Sequence, residues 1–487
     1  MKQQSAVIGS GVGGIASAIR LAAKGYEVFV FEQAGRAGGK ISERRHGGFR
    51  FDTGPSLFTM PGLADELFTL CGKDPRDYFS YTPLKSSCKY FWEDGTVINA
   101  WLDKERFARE VEENTSVSRT QVLRFLEKSR RMYDITADVF LFNSLHKLKN
   151  FLKPGHRRSV LRLYELDVLT TMHNKNRRWF HDPRIVQLFD RYATYNGSNP
   201  YKTPATLNVI PHLEHNTGVY FPAKGMYHIV DALYRLACDM GVQFHFGSRV
   251  DRIVVKDKKA VALICKGEKL DFDCIISDVD VVTLYKNLLP DQPFPKKQLT
   301  LERSSSALIF YWGINRRFPG MELHNILFSG NYEEEFQYLF KKKKICSDPT
   351  VYIFISSHAV PSDAPMGQEN WYVMINAPEN TGQDWDDMIA GVRREILEKI
   401  NRMLGTDLEQ HIVAESVADP RSIEKDTASF NGSLYGLSSN NRLAAFYRHP
   451  NFRRSVRNLY FVGGSVHPGG GIPLCLASAK IVDTLTS

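Results

Sequence analysis

The residues best placed to do chemistry are glycines. Gly9-Ser10-Gly11-Val12-Gly13-Gly14 follows a short apolar strand, Ser5 to Ile8, and precedes a helical stretch, Ile15 to Lys24. This is a G-x-G-x-x-G turn between strand and helix, the context that gives the motif its meaning. Gly9 lets the chain turn tightly, Gly11 lets backbone approach a pyrophosphate, and Gly14 lets the helix press onto the sheet. The helix start adds free N–H groups and a partial positive charge for phosphates. A second strand, Tyr26 to Phe31, ends at Glu32. A carboxylate about 20 residues past the glycines can accept hydrogen bonds from an adenosine ribose, and favours FAD or NAD over NADP. Gly35-Arg36-Ala37-Gly38-Gly39-Lys40 then separates the two. In place of a further strand-helix-strand unit it supplies a glycine pair, Gly38 and Gly39, beside Arg36 and Lys40, two cations suited to phosphate or ribityl oxygens. This favours FAD. The plainer alternative is a generic βαβ unit with a solvated Glu32.

Two more glycine clusters fit the same cofactor. Gly47-Gly48-Phe49-Arg50-Phe51-Asp52-Thr53-Gly54-Pro55 reads as a short strand ending in a Gly-Pro turn, which taken alone is a plain turn but where Gly54 would allow close approach to a flavin ring. Near the other end, a strand from Asn458 runs into Gly463-Gly464-Ser465, and His467-Pro468-Gly469-Gly470-Gly471-Ile472-Pro473 opens a helix. Glycines ahead of a helix started by Pro473 form an anion-tolerant nest. Reduced flavin is more negative at N1 and C2=O, and a fixed positive dipole there would stabilise it. Simple capping of a terminal helix is the alternative.

The elements that must position these turns follow in order. Between Pro61 and Tyr220 the pattern is mostly helical, with apolar residues at helical spacing over Leu102 to Glu113, Ser118 to Arg131, Ser159 to His173 and Asp182 to Tyr195. Within it, Val139 to Leu152 mixes Phe and Leu with Lys147, Lys149 and Lys153, and His156-Arg157-Arg158 follows. Such a stretch can lie in a bilayer interface with its cations at anionic headgroups, or pack as an ordinary amphipathic helix. A helix from Tyr227 to Asp239 precedes strands Val242 to Phe246, Val250 to Lys256, Ala260 to Cys265 and Lys269 to Phe272. Cys274-Ile275-Ile276 then rejoins the sheet opened at Ser5, with Ser277-Asp278 expected at its edge. Val250 is a candidate backbone contact for adenine, although a buried strand position reads equally well. From Pro290 to Asn451, strands at Ala307 to Ile314, Val351 to Ser356, Trp371 to Ala377 and Ile412 to Val417, with a helix from Trp385 to Leu404, suit an antiparallel second domain. Lys341 to Lys344 reads as a solvated loop. The expected fold is α/β. A Rossmann-type FAD-binding domain is assembled from residues 1–60, 225–290 and 456–487, interleaved with a helical substrate and membrane-contact region, 61–224, and a substrate domain of antiparallel sheet and helices, 291–455.

With 487 residues and 43% hydrophobic content, the chain has ample material for two interleaved cores. Its 63 Lys and Arg against 54 Asp and Glu give a formal charge of +9, mild at this length and without a nucleic-acid motif. The seven cysteines are scattered and lack C-x-x-C spacing, so neither a disulfide framework nor a zinc site is expected, which suits a reducing cytoplasm. Gly9 interrupts any signal-peptide apolar run, and no apolar stretch is long enough to span a bilayer. Membrane contact is therefore expected to be peripheral.

Together these motifs resemble the bacterial-type phytoene desaturase family of carotenoid desaturases, FAD-dependent and related in fold to amine oxidases. The resemblance rests on Val7 to Gly14, Gly35 to Lys40, Phe51 to Pro55, Val219-Tyr220-Phe221-Pro222-Ala223-Lys224-Gly225, and above all Leu459 to Pro473. It implies introduction of carbon–carbon double bonds into a long isoprenoid, with a hydride passing to flavin and a proton lost from the neighbouring carbon. By matching motif, Glu32 would hold ribose; Arg36, Lys40, Gly11, Gly14, Gly38, Gly39, Gly54 and Gly464 would line FAD; Ile472 and Pro473 would flank the flavin. Gly9, Pro55 and Val250 complete the expected set. Gly464-Ser465 stand where relatives often show a small residue followed by Thr, and no acid or base matches a proton acceptor. Carotenes have almost no polar handles, so a long apolar channel is required, and 30 Phe and 21 Tyr are compatible with one. A membrane-dissolved substrate also favours the Val139 to Arg158 stretch as a docking face. Within the family the middle segment favours a 3,4-desaturase of hydroxylated carotenoids over a phytoene desaturase. An amine or protoporphyrinogen oxidase on the same fold is a further alternative. A flavin-free prenyl-escort protein is another, which Glu32 and the glycine clusters argue against.

Overall fold

The computed structural model describes residues 2–147, 162–296, 300–441 and 444–486. Strand β1 (Gln4–Ile8), helix α1 (Val12–Ala23) and strand β2 (Glu27–Phe31) open the chain, and β1 pairs in parallel with β2 from Gln4↔Glu27 to Ile8↔Phe31. The helix starts at Val12 rather than Ile15, so Gly13 and Gly14 lie in its first turn. Every residue from Val12 to Leu21 is buried. A helix with no exposed face must be covered on all sides. The sheet covers one side, and helices Tyr227–Asp239 and Ile472–Asp483 cover the others.

The sheet holding β1 has nine strands. Its central members are parallel: β2, β1, Cys274–Ser277 and Val456–Phe461 lie side by side, with Gln243–His245 beyond β2. Ser277 and Asp278 therefore end a central strand rather than sitting at the edge of the sheet. Central parallel strands carry the ligand-facing loops at their C-terminal ends, and that is where Asp278 lies.

A second sheet of seven strands runs in the order Ile412–Ala418, Ser306–Ile314, Glu369–Ala377, Val351–Phe354, His324–Leu327, Ser86–Phe91 and Val97–Trp101. Strand Ser306–Ile314 is buried throughout. Leu308, Phe310, Trp312 and Ile314 pack in one apolar core with helix Trp385–Leu404, while Ala307, Ile309 and Tyr311 face the opposite way. The last two strands correct the expectation of a mostly helical stretch after Pro61. Their signal is in the sequence: Cys88 to Trp92 and Val97 to Trp101 are rich in aromatic and β-branched residues and flank an Asp94-Gly95 turn.

The helix expected over Ser159 to His173 is not continuous. A short turn, Leu163–Leu166, and helix Met172–Trp179 are separated at Asp167, whose backbone is left-handed and whose carboxylate accepts from Lys175 Nζ at 2.9 Å. Residues 159–161 and residues 148–158 of the amphipathic stretch lie outside the described residues. The Lys341 to Lys344 run is solvated as expected, with Lys341, Lys342 and Lys344 exposed, but it is not all loop. It continues a helical turn, Tyr338–Lys342, with Lys342 over the Tyr338 ring and Lys343 paired to Glu379 at 3.0 Å. Among the described residues no helix is long and apolar enough to cross a membrane.

The two sheets are joined by a buried ionic knot. Arg50, beside the turn of hairpin Ser42–His46 and Phe49–Thr53, donates to Glu43 at 2.6 Å, Asp52 at 2.8 Å and Asp363 at 3.2 Å. Asp52 also accepts the N–H groups of Met226 and Tyr227 at 2.8 and 3.0 Å, capping helix Tyr227–Asp239. A Cβ on Gly225 would fall 2.5 Å from that carboxylate. Three segments thus share one set of charges, each satisfied by its neighbours.

Candidate functional site

The first strand's loop, the Gly-Pro turn and the C-terminal glycines open onto one cavity of about 1330 Å³. That exceeds the roughly 300–1,000 Å³ of an ordinary small-molecule pocket. Of the residues expected at the cofactor, Gly9, Gly11, Glu32, Arg36, Gly38, Gly39, Lys40, Gly54, Pro55, Val250, Gly464, Ile472 and Pro473 all line it. Gly11 and Gly471, far apart in sequence, line the same cavity. Gly14 does not line it. A Cβ there would sit 2.1 Å from the Gly9 carbonyl oxygen, so this glycine serves the close packing of helix on turn.

Asp278 is a central residue of the site whose role the sequence did not reveal. Its Oδ2 accepts the Gly14 N–H at 3.0 Å, and its side chain occupies the space that a Cβ on Gly11 or Gly463 would need, at 2.4 and 2.0 Å. The glycines of both chain ends are therefore packed around one carboxyl group. Burial pushes the Asp278 pKa up to about 7, against the pull of the Gly14 N–H, while the charge of Glu32 adds to the rise and Lys40 opposes it.

The charged residues sit as follows. Glu32 Oε2 accepts the Ser10 N–H and hydroxyl, both at 2.8 Å, and Oε1 accepts the Ala34 N–H at 2.8 Å. A carboxylate has about four acceptor sites, so one remains for a ribose hydroxyl. Arg36 donates to the Ser42 hydroxyl at 2.6 Å and to the Glu43 carbonyl, and lies over the Tyr227 ring. Lys40 Nζ donates to the carbonyls of Leu434 and Ser433 at 2.6 and 3.3 Å, and burial lowers its pKa. Both cations thus brace the cradle, and both line the cavity. Two helices, α1 and Ile472–Asp483, begin on Gly11 and Gly471 with no side-chain cap, and both glycines line the cavity. Uncapped N-termini suit an anionic group. Glycine backbone, an acceptor in reserve and two helix starts fit a flavin dinucleotide.

Beyond the glycine turns the cavity crosses the inner face of the second sheet. Ile309, Met374, Tyr352 and Ile326 line it and are paired in register on successive strands, Ile309↔Met374, Met374↔Tyr352 and Tyr352↔Ile326. At about 4.8 Å per strand the row spans roughly 14 Å. The Tyr352 hydroxyl lies 2.5 Å from Ser56 Oγ, just after the Gly-Pro turn, and 2.8 Å from His324 Nδ1. Burial pushes the His324 pKa down to about 3, so the imidazole is neutral at physiological pH. Among the described residues no group of His, Cys, Asp and Glu could hold a metal ion, and all seven cysteines are free.

A cradle of this kind, joined to a sheet-floored chamber, defines a flavoprotein oxidoreductase. The chain belongs to the family of flavin containing amine oxidoreductases, whose model matches residues 12–482. It is 46% identical to the 1-hydroxycarotenoid 3,4-desaturase of Flavobacterium sp. (strain P99-3), over 99% of both chains. It is 33% identical to the 4,4'-diapolycopene oxygenase of Methylomonas sp, over 99% of this chain and 97% of that one. Its fold matches a crystal structure of an oxidoreductase from Methanosarcina mazei with a TM-score of 0.64 at 15% identity, covering 99% of this chain and 100% of that one. The protein is an FAD-dependent oxidoreductase, as the glycine motifs imply.

The Asp278 carboxyl ties stability to pH. Its folded-state pKa, about 7, lies above the ordinary 3.8, so the folded protein keeps a proton that the unfolded chain has released. Stability therefore falls as pH rises between those two values. Asp278→Asn keeps an acceptor for the Gly14 N–H and removes the charge. In scanning fluorimetry of cofactor-free protein, the melting temperature of the parent is expected to drop relative to the variant's between pH 5 and pH 8. An equal pH response in both would show that Asp278 does not titrate in that window.

Proposed function

We propose that this protein is a carotenoid desaturase acting at the C3–C4 bond of an acyclic or monocyclic carotenoid that carries a terminal hydroxyl group. The observation that carries the reading is the continuity of one cavity from the glycine cradle to the apolar row Ile309, Met374 and Ile326. A polyene has little but surface to offer, and its burial contributes roughly 25 cal/mol per Å². When bound, FAD supplies a two-electron acceptor for a hydride drawn from one carbon, and loss of a proton from the adjacent carbon completes the double bond. The sheet holds the chain flat and excludes water. The similarity to a hydroxycarotenoid desaturase over nearly the whole chain supports the choice of substrate.

Incubation of the flavin-loaded protein with a 1-hydroxylated acyclic carotenoid in liposomes should give a product lacking two hydrogens, with absorption moved to longer wavelength. A product that has gained oxygen, or an unchanged chromophore, would overturn the desaturase reading.

In this reading Glu32 takes the adenosine ribose, and the glycines, Val250, Ile472 and Pro473 surround the cofactor. Glu32→Ala should weaken FAD retention by about tenfold, the loss of one hydrogen bond to a charged group. Equal flavin content after gel filtration of parent and variant would exclude the ribose role.

The protein reaches its substrate as a peripheral membrane protein of the cytoplasm, docking through the amphipathic stretch that includes Lys147, Lys149, Arg157 and Arg158. Neutralising these four should reduce co-sedimentation with anionic vesicles. Undiminished pelleting would rule the stretch out as the docking face.

A further inference from the structure

We infer that the corner of the cavity formed by Arg191, Tyr195 and Tyr332 is a hydroxyl-binding subsite, which holds the oxygenated end of the substrate and selects it over the corresponding hydrocarbon. The inference rests on the desaturase reading and names the residues that set its specificity.

A chamber for an oily chain has no use for buried polarity unless the chain carries a polar end. This corner is strongly polar. Arg191 is 7% exposed and lines the cavity. Its guanidinium donates to the hydroxyls of Tyr90 at 2.6 Å and Tyr195 at 3.3 Å, and lies 3.7 Å from Glu214. Glu214 accepts from Tyr192 at 2.8 Å and from Tyr195. Burial alone would raise the Glu214 pKa, but Arg191, His215 and the tyrosine donors hold it below the ordinary value. The pair is thus ionised and its charges cancel, which leaves a fixed scaffold with no net charge to offer.

Two groups in the scaffold are left over. Arg191 Nε has no hydrogen-bond partner. Tyr332 is 6% exposed and lines the cavity, and its hydroxyl bonds to no protein group among the described residues. Its ring is held by Phe328 and Phe336, at 5.9 and 5.0 Å between centroids. Phe328 in turn stacks on Tyr90, whose hydroxyl is the one Arg191 holds. A hydrocarbon end placed here would strand a buried phenol, whereas an alcohol oxygen accepts from it.

The corner is joined to the cofactor side of the cavity through the second sheet. Ser329 donates its N–H to Thr350 Oγ1 at 3.1 Å, which brings the Tyr332 segment beside the strand bearing Tyr352. Tyr352 in turn bonds to Ser56, beside the Gly-Pro turn expected against the flavin. Tyr352 pairs with Ile326 and Ile326 with Tyr90, so two strand spacings, roughly 10 Å, lie between Tyr352 and the tyrosine that Arg191 holds.

The test compares the flavin-loaded parent with Tyr332→Phe, which keeps the ring and removes one oxygen. The substrates are an acyclic carotenoid with a tertiary terminal hydroxyl and the matching hydrocarbon. The ratio of kcat/KM for the alcohol to that for the hydrocarbon should fall by about tenfold or more in the variant. A ratio that changes by less than about twofold overturns the subsite, since loss of packing alone would slow both substrates alike. Retention of each carotenoid by dithionite-reduced enzyme, which cannot accept a hydride, gives a second readout. The parent should retain the alcohol preferentially and the variant should lose that preference. If the parent retains the alcohol selectively but oxidises neither compound, the desaturase reading fails and the subsite stands. If it oxidises both without selecting or retaining the alcohol, the subsite fails and the reading stands.

Discussion

The structure depends on how closely backbone can approach a single buried carboxyl group. Asp278 ends a central strand, accepts the Gly14 N–H, and fills the space that side chains at Gly11 and Gly463 would need. One of these glycines comes from the opening turn and the other from the closing strand. Any side chain at either position would push the two turns apart, and the cavity they line would lose its floor. The glycines are thus required by steric packing as well as by the cofactor they face.

A second constraint fixes the substrate chamber relative to this cradle. Arg50 binds the hairpin that leads to Gly54, the start of helix Tyr227–Asp239 and a loop of the second sheet through Glu43, Asp52 and Asp363. Breaking one partner of such a buried set leaves uncompensated charge, so the arrangement holds as a unit. It also explains why Phe51 to Pro55 and Val219 to Gly225 read as motifs although they lie apart in sequence. They meet across one guanidinium and one carboxylate.

The nucleotide-binding half was legible because its signals are local. Strand, glycine turn, helix and terminal acid follow one another in the first residues, and the 3.6-residue period over Tyr227 to Asp239 and Trp385 to Leu404 marks those helices to the residue. Features set by distant partners were not legible. Ser277-Asp278 looks like any strand end until its neighbours on both sides are known. Strands Ser86–Phe91 and Val97–Trp101 were passed over because helical segments surround them, although their aromatic content and Asp-Gly turn were visible. Arg36 and Lys40 line the cavity, and their donors also go to Ser42, Glu43 and the Ser433–Leu434 carbonyls, contacts made across loops that sequence spacing does not order. Arg191, Tyr332 and Tyr352 stood out in no motif, since each gains its meaning from a strand register or an aromatic stack.

Helix α1 has no exposed face, and one of its covers is the helix Ile472–Asp483. On the ribosome, this helix would therefore wait uncovered until a segment about 450 residues later emerged, its apolar surface open to other nascent chains in the meantime. Long-range closure of this kind folds slowly and late. The dinucleotide site, though its glycine turn is made early, is completed only once translation has passed Ile472–Asp483, so cofactor capture follows that segment rather than the turn.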